Sequence, residues 1–281
     1  MSTTRRTRCS LLKLSALCGL ILGVAGSAAP AQGKAGPIPI SQGDIPLVIA
    51  QSGSYELVGN LSVTDPAVTA IAVDAHNVTI DLNGFHITGP GKGNGTGMGV
   101  RSDTPTTHDN VVVRNGKISS WGSVCVHLPG HANRAEQLIV SHCGNDGIFV
   151  GRASVVTASQ VSFSGSGVNT DDGSIVSENT LYSNDGMGIF TSGDAPGPLG
   201  GVAVLRNNCR LNGIGIKVKG SGSRVEGNVV SQNSVGMDLS LGTNNYFASN
   251  LLQGNAVTFV GEGDDTDGAS IDGALANVVL P

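Results

Sequence analysis

Apolar and polar residues alternate along this chain in short bursts, and the bursts recur. One phrase opens on a small residue, places an apolar residue next and then alternates. It reads Ala70-Ile71-Ala72-Val73, Gly99-Val100-Arg101, Ser123-Val124-Cys125-Val126, Gly147-Ile148-Phe149-Val150 and Gly167-Val168-Asn169. It returns as Gly188-Ile189-Phe190, Gly215-Ile216-Lys217-Val218, Gly236-Met237-Asp238-Leu239 and Ala256-Val257-Thr258-Phe259. The apolar anchors fall at 71, 100, 124, 148, 168, 189, 216, 237 and 257, spaced 20 to 29 residues apart. Alternation with a period of two predicts strands with one buried side.

A second phrase lies upstream of the anchor in each unit. Examples are Val176-Ser177-Glu178-Asn179, Val204-Leu205-Arg206-Asn207 and Val225-Glu226-Gly227-Asn228. Related segments are Asn77-Val78-Thr79-Ile80-Asp81-Leu82-Asn83-Gly84 and Asn110-Val111-Val112-Val113-Arg114-Asn115-Gly116. One such unit cannot bury its apolar side alone. Coiling the chain so that each strand lies beside its counterpart in the next unit creates parallel ladders ~4.8 Å apart and aliphatic stacks inside. Asn at the corners tolerates left-handed backbone and bonds to its neighbours along the axis, while Gly supplies positive φ. The interior is narrow, so Val, Ile and Leu are expected there rather than Trp.

Composition agrees. The 281 residues include 42 Gly without a period of three, which excludes collagen. With 39% hydrophobic and 13% charged residues, the chain is too apolar for a disordered polyampholyte and too poor in charge for a long helical bundle.

The Asn/Gly-punctuated units resemble the parallel β-helix repeats of the right-handed, pectin-lyase-like superfamily over roughly Ile45 to Val279. The resemblance is closest to secreted bacterial repeat proteins carrying a segment like Asn77–Phe85. It implies an all-β fold, a single-stranded right-handed parallel β-helix (solenoid) of about nine coils, with terminal caps from Pro37 and from Gly268. Early strands are expected at Ile45–Ile49 and Tyr55–Val58, and loops at 88–98, 128–136, 192–201 and 261–270. The superfamily includes lyases, hydrolases, epimerases, adhesins and accessory proteins, so fold alone does not assign an activity.

Residues 1–31 read as a signal peptide and 32–281 as the β-helix domain. Arg5, Arg6 and Arg8 form a basic start, an apolar run extends from Leu11 to about Val24, and Ala29-Pro30-Ala31 offers a cleavage site. Secreted or periplasmic localisation follows as an expectation. Cleavage removes four of sixteen basic residues and no acid, leaving twelve against twenty-one and a net charge of −9. That charge argues against nucleic acid and anionic membrane as partners. No later segment is long and apolar enough to span a bilayer. Cys125, Cys143 and Cys209 remain and permit at most one internal disulfide. Oligomeric state is not legible.

If the anchors point inward, the next residue faces out. This gives the outward row Ala72, Arg101, Cys125, Phe149, Asn169, Phe190, Lys217, Asp238 and Thr258. A second row is Asp74, Asp103, His127, Gly151, Asp171, Ser192, Lys219, Ser240 and Val260. Sugar rings present apolar C–H faces that stack on aromatic side chains, while charged and amide groups hold hydroxyls or carboxylates. Phe149, Phe190, Asn169, Arg224, Asp238 and His127 are therefore the candidate substrate-binding residues, and a polysaccharide or cell-surface glycan is the expected partner.

Arg206, Arg210, Lys217, Lys219 and Arg224 form a basic stretch with no acid between Arg206 and Arg224. Lys217, Lys219 and Arg210 are the candidate catalytic residues. In a lyase acting on a uronate glycan, Lys217 or Lys219 would be the base and Arg210 or Arg224 the carboxylate clamp. The bland alternative is a solvated face with Lys217 paired to Asp238. Asp103 and His127 could form an acid–base pair, and His127, His131 and His142 have loose metal-ligand spacing. Asn169-Thr170-Asp171-Asp172 looks like a segment of pectin-hydrolysing β-helix enzymes, but the rest of that signature is absent. No motif demands a cofactor. Ca²⁺ is the one candidate, at Asp264, Asp265 and Asp267. The leading expectation is a secreted repeat protein that engages polysaccharide through one sheet face. The alternatives are a polysaccharide lyase-like enzyme and a non-catalytic structural or surface protein.

Overall fold

In the computed structural model the described residues are 36–103, 106–192, 201–261 and 277–280. They form parallel strands stacked into a three-faced solenoid, with one short 3-10 turn at Gln42–Asp44. The anchor face has ten strands, from Leu47–Ile49 through Asp146–Val150, Met187–Ser192 and Ile214–Ser221 to Val257–Val260. The second face starts with Ile38–Ile40 and Gly53–Leu57 and ends with Tyr246–Ala248. The third starts with Leu61–Ser62 and ends with Val278–Leu280. Val112–Trp121 and Arg134–Cys143 run through the corner and join the second and third faces into one 18-stranded sheet.

Alternation fixes what lies inside. On the second face, Ile80, Val113, Ala135, Val156, Val176, Val204 and Val225 form a buried column. On the third, Ile87, Ile118, Val140, Val161, Leu181, Cys209, Val230 and Leu252 do the same. Each buried Val, Leu or Ile contributes ~1.5–3 kcal/mol of transfer free energy. Stacking is therefore what stabilises units that have no core of their own. Cys209 belongs to this column, and burial pushes its thiol pKa up.

The two tasks expected of the corner Asn residues are divided in the later coils, where Asn keeps the bonding along the axis and the residue before it takes the left-handed backbone. In the later coils Glu178, Arg206, Gly227 and Ser249 take the left-handed conformation between the second and third faces. The following residues, Asn179, Asn207, Asn228 and Asn250, turn inward and form a buried ladder. In that ladder Nδ2 of Asn179, Asn207 and Asn228 donates to Oδ1 of the next Asn at 2.9–3.1 Å. A second ladder runs Asn184, Asn212, Asn233 and Asn255 at the next corner. In the early coils Asn77, Asn83, Asn110 and Asn115 occupy the left-handed positions themselves. Buried backbone N–H groups at the corners need acceptors, and inward amides supply them.

Several expectations change. Trp121 is completely buried, not excluded from the interior. Room for it comes from Gly89 and Gly99: a Cβ at Gly89 would lie 2.6 Å from the indole Cδ2, and one at Gly99 3.1 Å from Nε1. The segment from Pro37, expected as a cap, supplies Ile38–Ile40, which pairs with Tyr55–Leu57 as the first rung of the second face. The region 128–136 is no large loop, since strands end at Leu128 and resume at Arg134. A loop does run from Gly89 to Gly99, lying over Gly122 and Gly144, with Lys92 Nζ bonded to Asp185 at 2.7 Å. The expected signal peptide and Gln32 start, residues 193–200 of the 192–201 loop, residues 262–270 of the 261–270 loop, and most of the tail from Gly268 lie outside the described residues.

Candidate functional site

The outward row of the anchor face is set by register. Arg101, His127, Phe149, Asn169, Phe190, Lys217 and Asp238 are consecutive cross-strand partners. Two members of the expected row change. His127 stands where Cys125 was expected, and Val260 where Thr258 was expected. Both slips are of two residues, which keeps inside and outside unchanged. The first has a clear cause. Cys125 is buried in a disulfide with Cys143 (Cα–Cα 5.6 Å), so the fourth coil's anchor is Val126 rather than Val124. The second row is interrupted, because a register shift after Lys217 pairs Lys219 with Leu241 instead of Ser240.

Phe149 and Phe190 are half-buried and stand two rungs apart with Asn169 between them. His127 stacks on Phe149 with ring centroids 5.0 Å apart and 28° between planes. Burial lowers the His127 pKa; Asp103 opposes the effect and Arg101 adds to it. Its Nδ1 lies 3.5 Å from Asp103, beyond a good hydrogen bond. Asp103 is instead engaged by Arg101 Nε at 2.8 Å.

Beside this row lies a carboxylate that sequence reading did not single out. Asn169 Nδ2 donates to Asp146 at 3.1 Å. Burial pushes the Asp146 pKa up, against the bond from Asn169 that lowers it. The Asn169 Oδ1 is buried without a partner. In the sequence, Asn145-Asp146-Gly147 reads as turn punctuation, and no local signal marks Asp146. One coil on, Ser192 Oγ donates to Asp171 at 2.5 Å.

The basic stretch does not converge. Lys217 and Lys219 are on the anchor face, Arg224 is on the second and Arg210 on the third. Lys217 Nζ bonds Asp238 at 2.8 Å. Burial works to raise the Asp238 pKa, but hydrogen bonds from Lys217 and Ser240 outweigh it and hold the carboxyl below its ordinary value. Arg224 pairs with Glu226, and Arg206 with Glu178 at 2.9 Å. A base at Lys217 or Lys219 and a clamp at Arg210 or Arg224 therefore do not share a face.

The histidines are also dispersed. His127 is in the outward row and His142 takes a left-handed corner position. His131 accompanies Asp109, its Nδ1 3.2 Å away. Among the described residues no group of three or more His, Cys, Asp or Glu is placed to hold a metal ion. Asp264, Asp265 and Asp267 lie outside the described residues. No described helix is long and apolar enough to cross a membrane.

Comparison with known proteins bears on the fold. The family described as "Right handed beta helix region" matches residues 99–252, more than half of the chain. No curated protein matches the sequence. Among solved structures, the chain is similar to the Dettilon tailspike protein gp208, with TM-score 0.51 and 16% identity, covering 87% of this chain and 60% of that one. It is also similar to the Azotobacter vinelandii mannuronan C-5 epimerase AlgE6 A-module, with TM-score 0.46 and 14% identity over 77% of this chain and 70% of that one. A hyperthermoactive exopolygalacturonase from Thermotoga maritima gives TM-score 0.42 and 12% identity over 78% and 74%.

Proposed function

The chain belongs to the right-handed β-helix family, and from that premise we propose that it is an exported polysaccharide-binding protein whose anchor face holds the glycan. The observation that carries this reading is the unbroken outward row. Phe149 and Phe190 offer ring faces ~9.6 Å apart, twice the rung spacing. Asn169 lies between them with a buried oxygen that has no partner. His127 backs Phe149, and the Lys217–Asp238 pair closes the row. A saccharide chain laid along the helix axis would meet apolar and hydrogen-bonding groups alternately, the combination that a sugar ring requires. The basic start, apolar run and Ala29-Pro30-Ala31 support export.

Affinity electrophoresis in gels containing alginate, polygalacturonate or a neutral β-glucan tests the reading. Retarded migration that is weakened in Phe149→Ala and Phe190→Ala supports it, and free migration in every gel rejects it.

One observation favours a second reading, in which the bound glycan is also cleaved. The raised Asp146 carboxyl beside Asn169 has the character of a general acid, and Asp171 is on the same face. A reducing-end assay separates the two: release that disappears in Asp146→Asn supports cleavage, and no release leaves binding alone.

A further inference from the structure

We infer that a second site, at the corner between the third and anchor faces, binds a carboxylated sugar residue. The corner is a column of left-handed residues, one per coil: His142, Phe163, Ser183 and Leu211. Phe163 has φ 54° and is 42% exposed. A bulky side chain in this conformation costs free energy that Asn or Gly would avoid. Its ring lies 5.2 Å from His142 and 5.7 Å, edge-on at 85°, from Tyr182, which is also exposed. Leu211, 42% exposed, stands two coils further on, with the small Ser183 between. Two rungs leave ~9.6 Å between the Phe163 and Leu211 levels, room for one saccharide ring in van der Waals contact with both.

Arg210 supplies the charge. It neighbours Tyr182 on the third face and leads into a recess of about 390 Å³ that Asn208, Ser231, Gln232 and Gln253 also line. Arg101, Arg114, Arg134, Arg152, Arg206 and Arg224 all have carboxylate partners. Among the described residues Arg210 makes no ion pair, and its Nε donates to the neutral Gln232 Oε1 at 2.8 Å. That bond orients a planar guanidinium whose charge has no carboxylate complement among the described residues. The geometry suits an external carboxylate, bound through paired N–H groups. Aromatic rings one and two coils from a guanidinium without a carboxylate partner among the described residues select an acidic sugar over a neutral one. Arg210 thereby acquires a role away from Lys217.

The site stands apart from the anchor-face row and is tested separately from it. Polygalacturonate and alginate are the probes and a β-glucan the neutral control, measured by affinity electrophoresis on wild type and on a Phe149→Ala/Phe190→Ala background. Arg210→Gln and Phe163→Asn are the removing variants, and Asn is at ease in the left-handed position. Ser183→Leu fills the notch with the residue that the chain carries in the same conformation at Leu211. In the background, retention of the uronate polymers persists, and each of the three substitutions weakens it about tenfold or more. If notch variants abolish retention while the anchor-face pair changes nothing, the notch stands and the anchor-face reading fails. If the background already shows no retention, or if all three substitutions leave it unchanged, the notch is refuted. Wild type that is retained by no uronate polymer refutes both.

Discussion

Asn228→Leu tests whether the internal ladder, rather than the sheets alone, holds the coils in register. Asn228 is fully buried. Its Oδ1 accepts from the Asn207 backbone N–H at 2.8 Å and from Asn207 Nδ2 at 3.0 Å. Its Nδ2 donates to the Val204 carbonyl and to Asn250 Oδ1, both at 2.9 Å. Leucine has nearly the same shape and makes none of these bonds. Asn207 Nδ2 keeps Val176 O, and Asn250 Oδ1 keeps the Asn228 backbone N–H. The Asn207 backbone N–H loses its acceptor inside the protein, at ~1–3 kcal/mol, and the remaining lost bonds add ~1 kcal/mol each at most. A destabilisation of about 4 kcal/mol follows, a large part of a typical ~5–15 kcal/mol. Urea unfolding followed by far-ultraviolet circular dichroism reads it, with Asn208→Leu, an exposed neighbour, as the control expected within ~0.5 kcal/mol. If Asn228→Leu lies within ~1 kcal/mol of wild type, the ladder is not a principal stabiliser and this reasoning is wrong.

Other consequences are equally direct. Gly99→Ala places a Cβ 2.6 Å from both Cys125 O and Ile118 Cγ2, and overpacking of ~1–3 kcal/mol should lower the thermal midpoint; an unchanged midpoint would contradict the packing around Trp121. Reducing Cys125–Cys143, which closes an 18-residue separation, should cost about 3 kcal/mol, seen as a lower midpoint in dithiothreitol. Buried Cys209, its thiol pKa raised, should resist iodoacetamide until the chain unfolds. The native Asp146 carboxyl holds its proton more tightly than the unfolded chain, so its contribution is fully present below the ordinary value of 3.8 and is lost as pH rises through the raised native value. Asp238 has the opposite sign: its contribution is present above 3.8 and is lost as pH falls through its lowered value. Asp146→Asn and Asp238→Asn should therefore change the slope of stability against pH in opposite directions, and parallel curves would refute the assignment.

The repeat phrase made the anchor face legible because a strand's period of two survives small errors in register. Val124 for Val126 and Val257 for Phe259 misplace the anchor by two residues yet leave Arg101, Phe149, Asn169, Phe190, Lys217 and Asp238 facing out. The corners were harder to read. Glu178-Asn179 and Arg206-Asn207 give no local sign of which residue takes positive φ and which turns inward, because the choice depends on amides one coil away. The basic stretch misled for a geometric reason. One coil takes the chain through three faces, so Arg210, Lys217 and Arg224, close in sequence, are directed to three different sides. Asp146 and Phe163 were invisible for the converse reason. Their sequence surroundings carry no local signal, and neighbours from adjacent coils give them their character.

The central claim is that the anchor face holds a polysaccharide. Isothermal titration of an oligouronate into wild type and into the Phe149→Ala/Phe190→Ala variant tests it most directly. Wild type should bind saturably and the variant with affinity lower by about tenfold or more, the scale of two lost stacking contacts at ~0.5–1.5 kcal/mol each. Equal affinity in the two proteins, or no heat of binding in wild type, would contradict it.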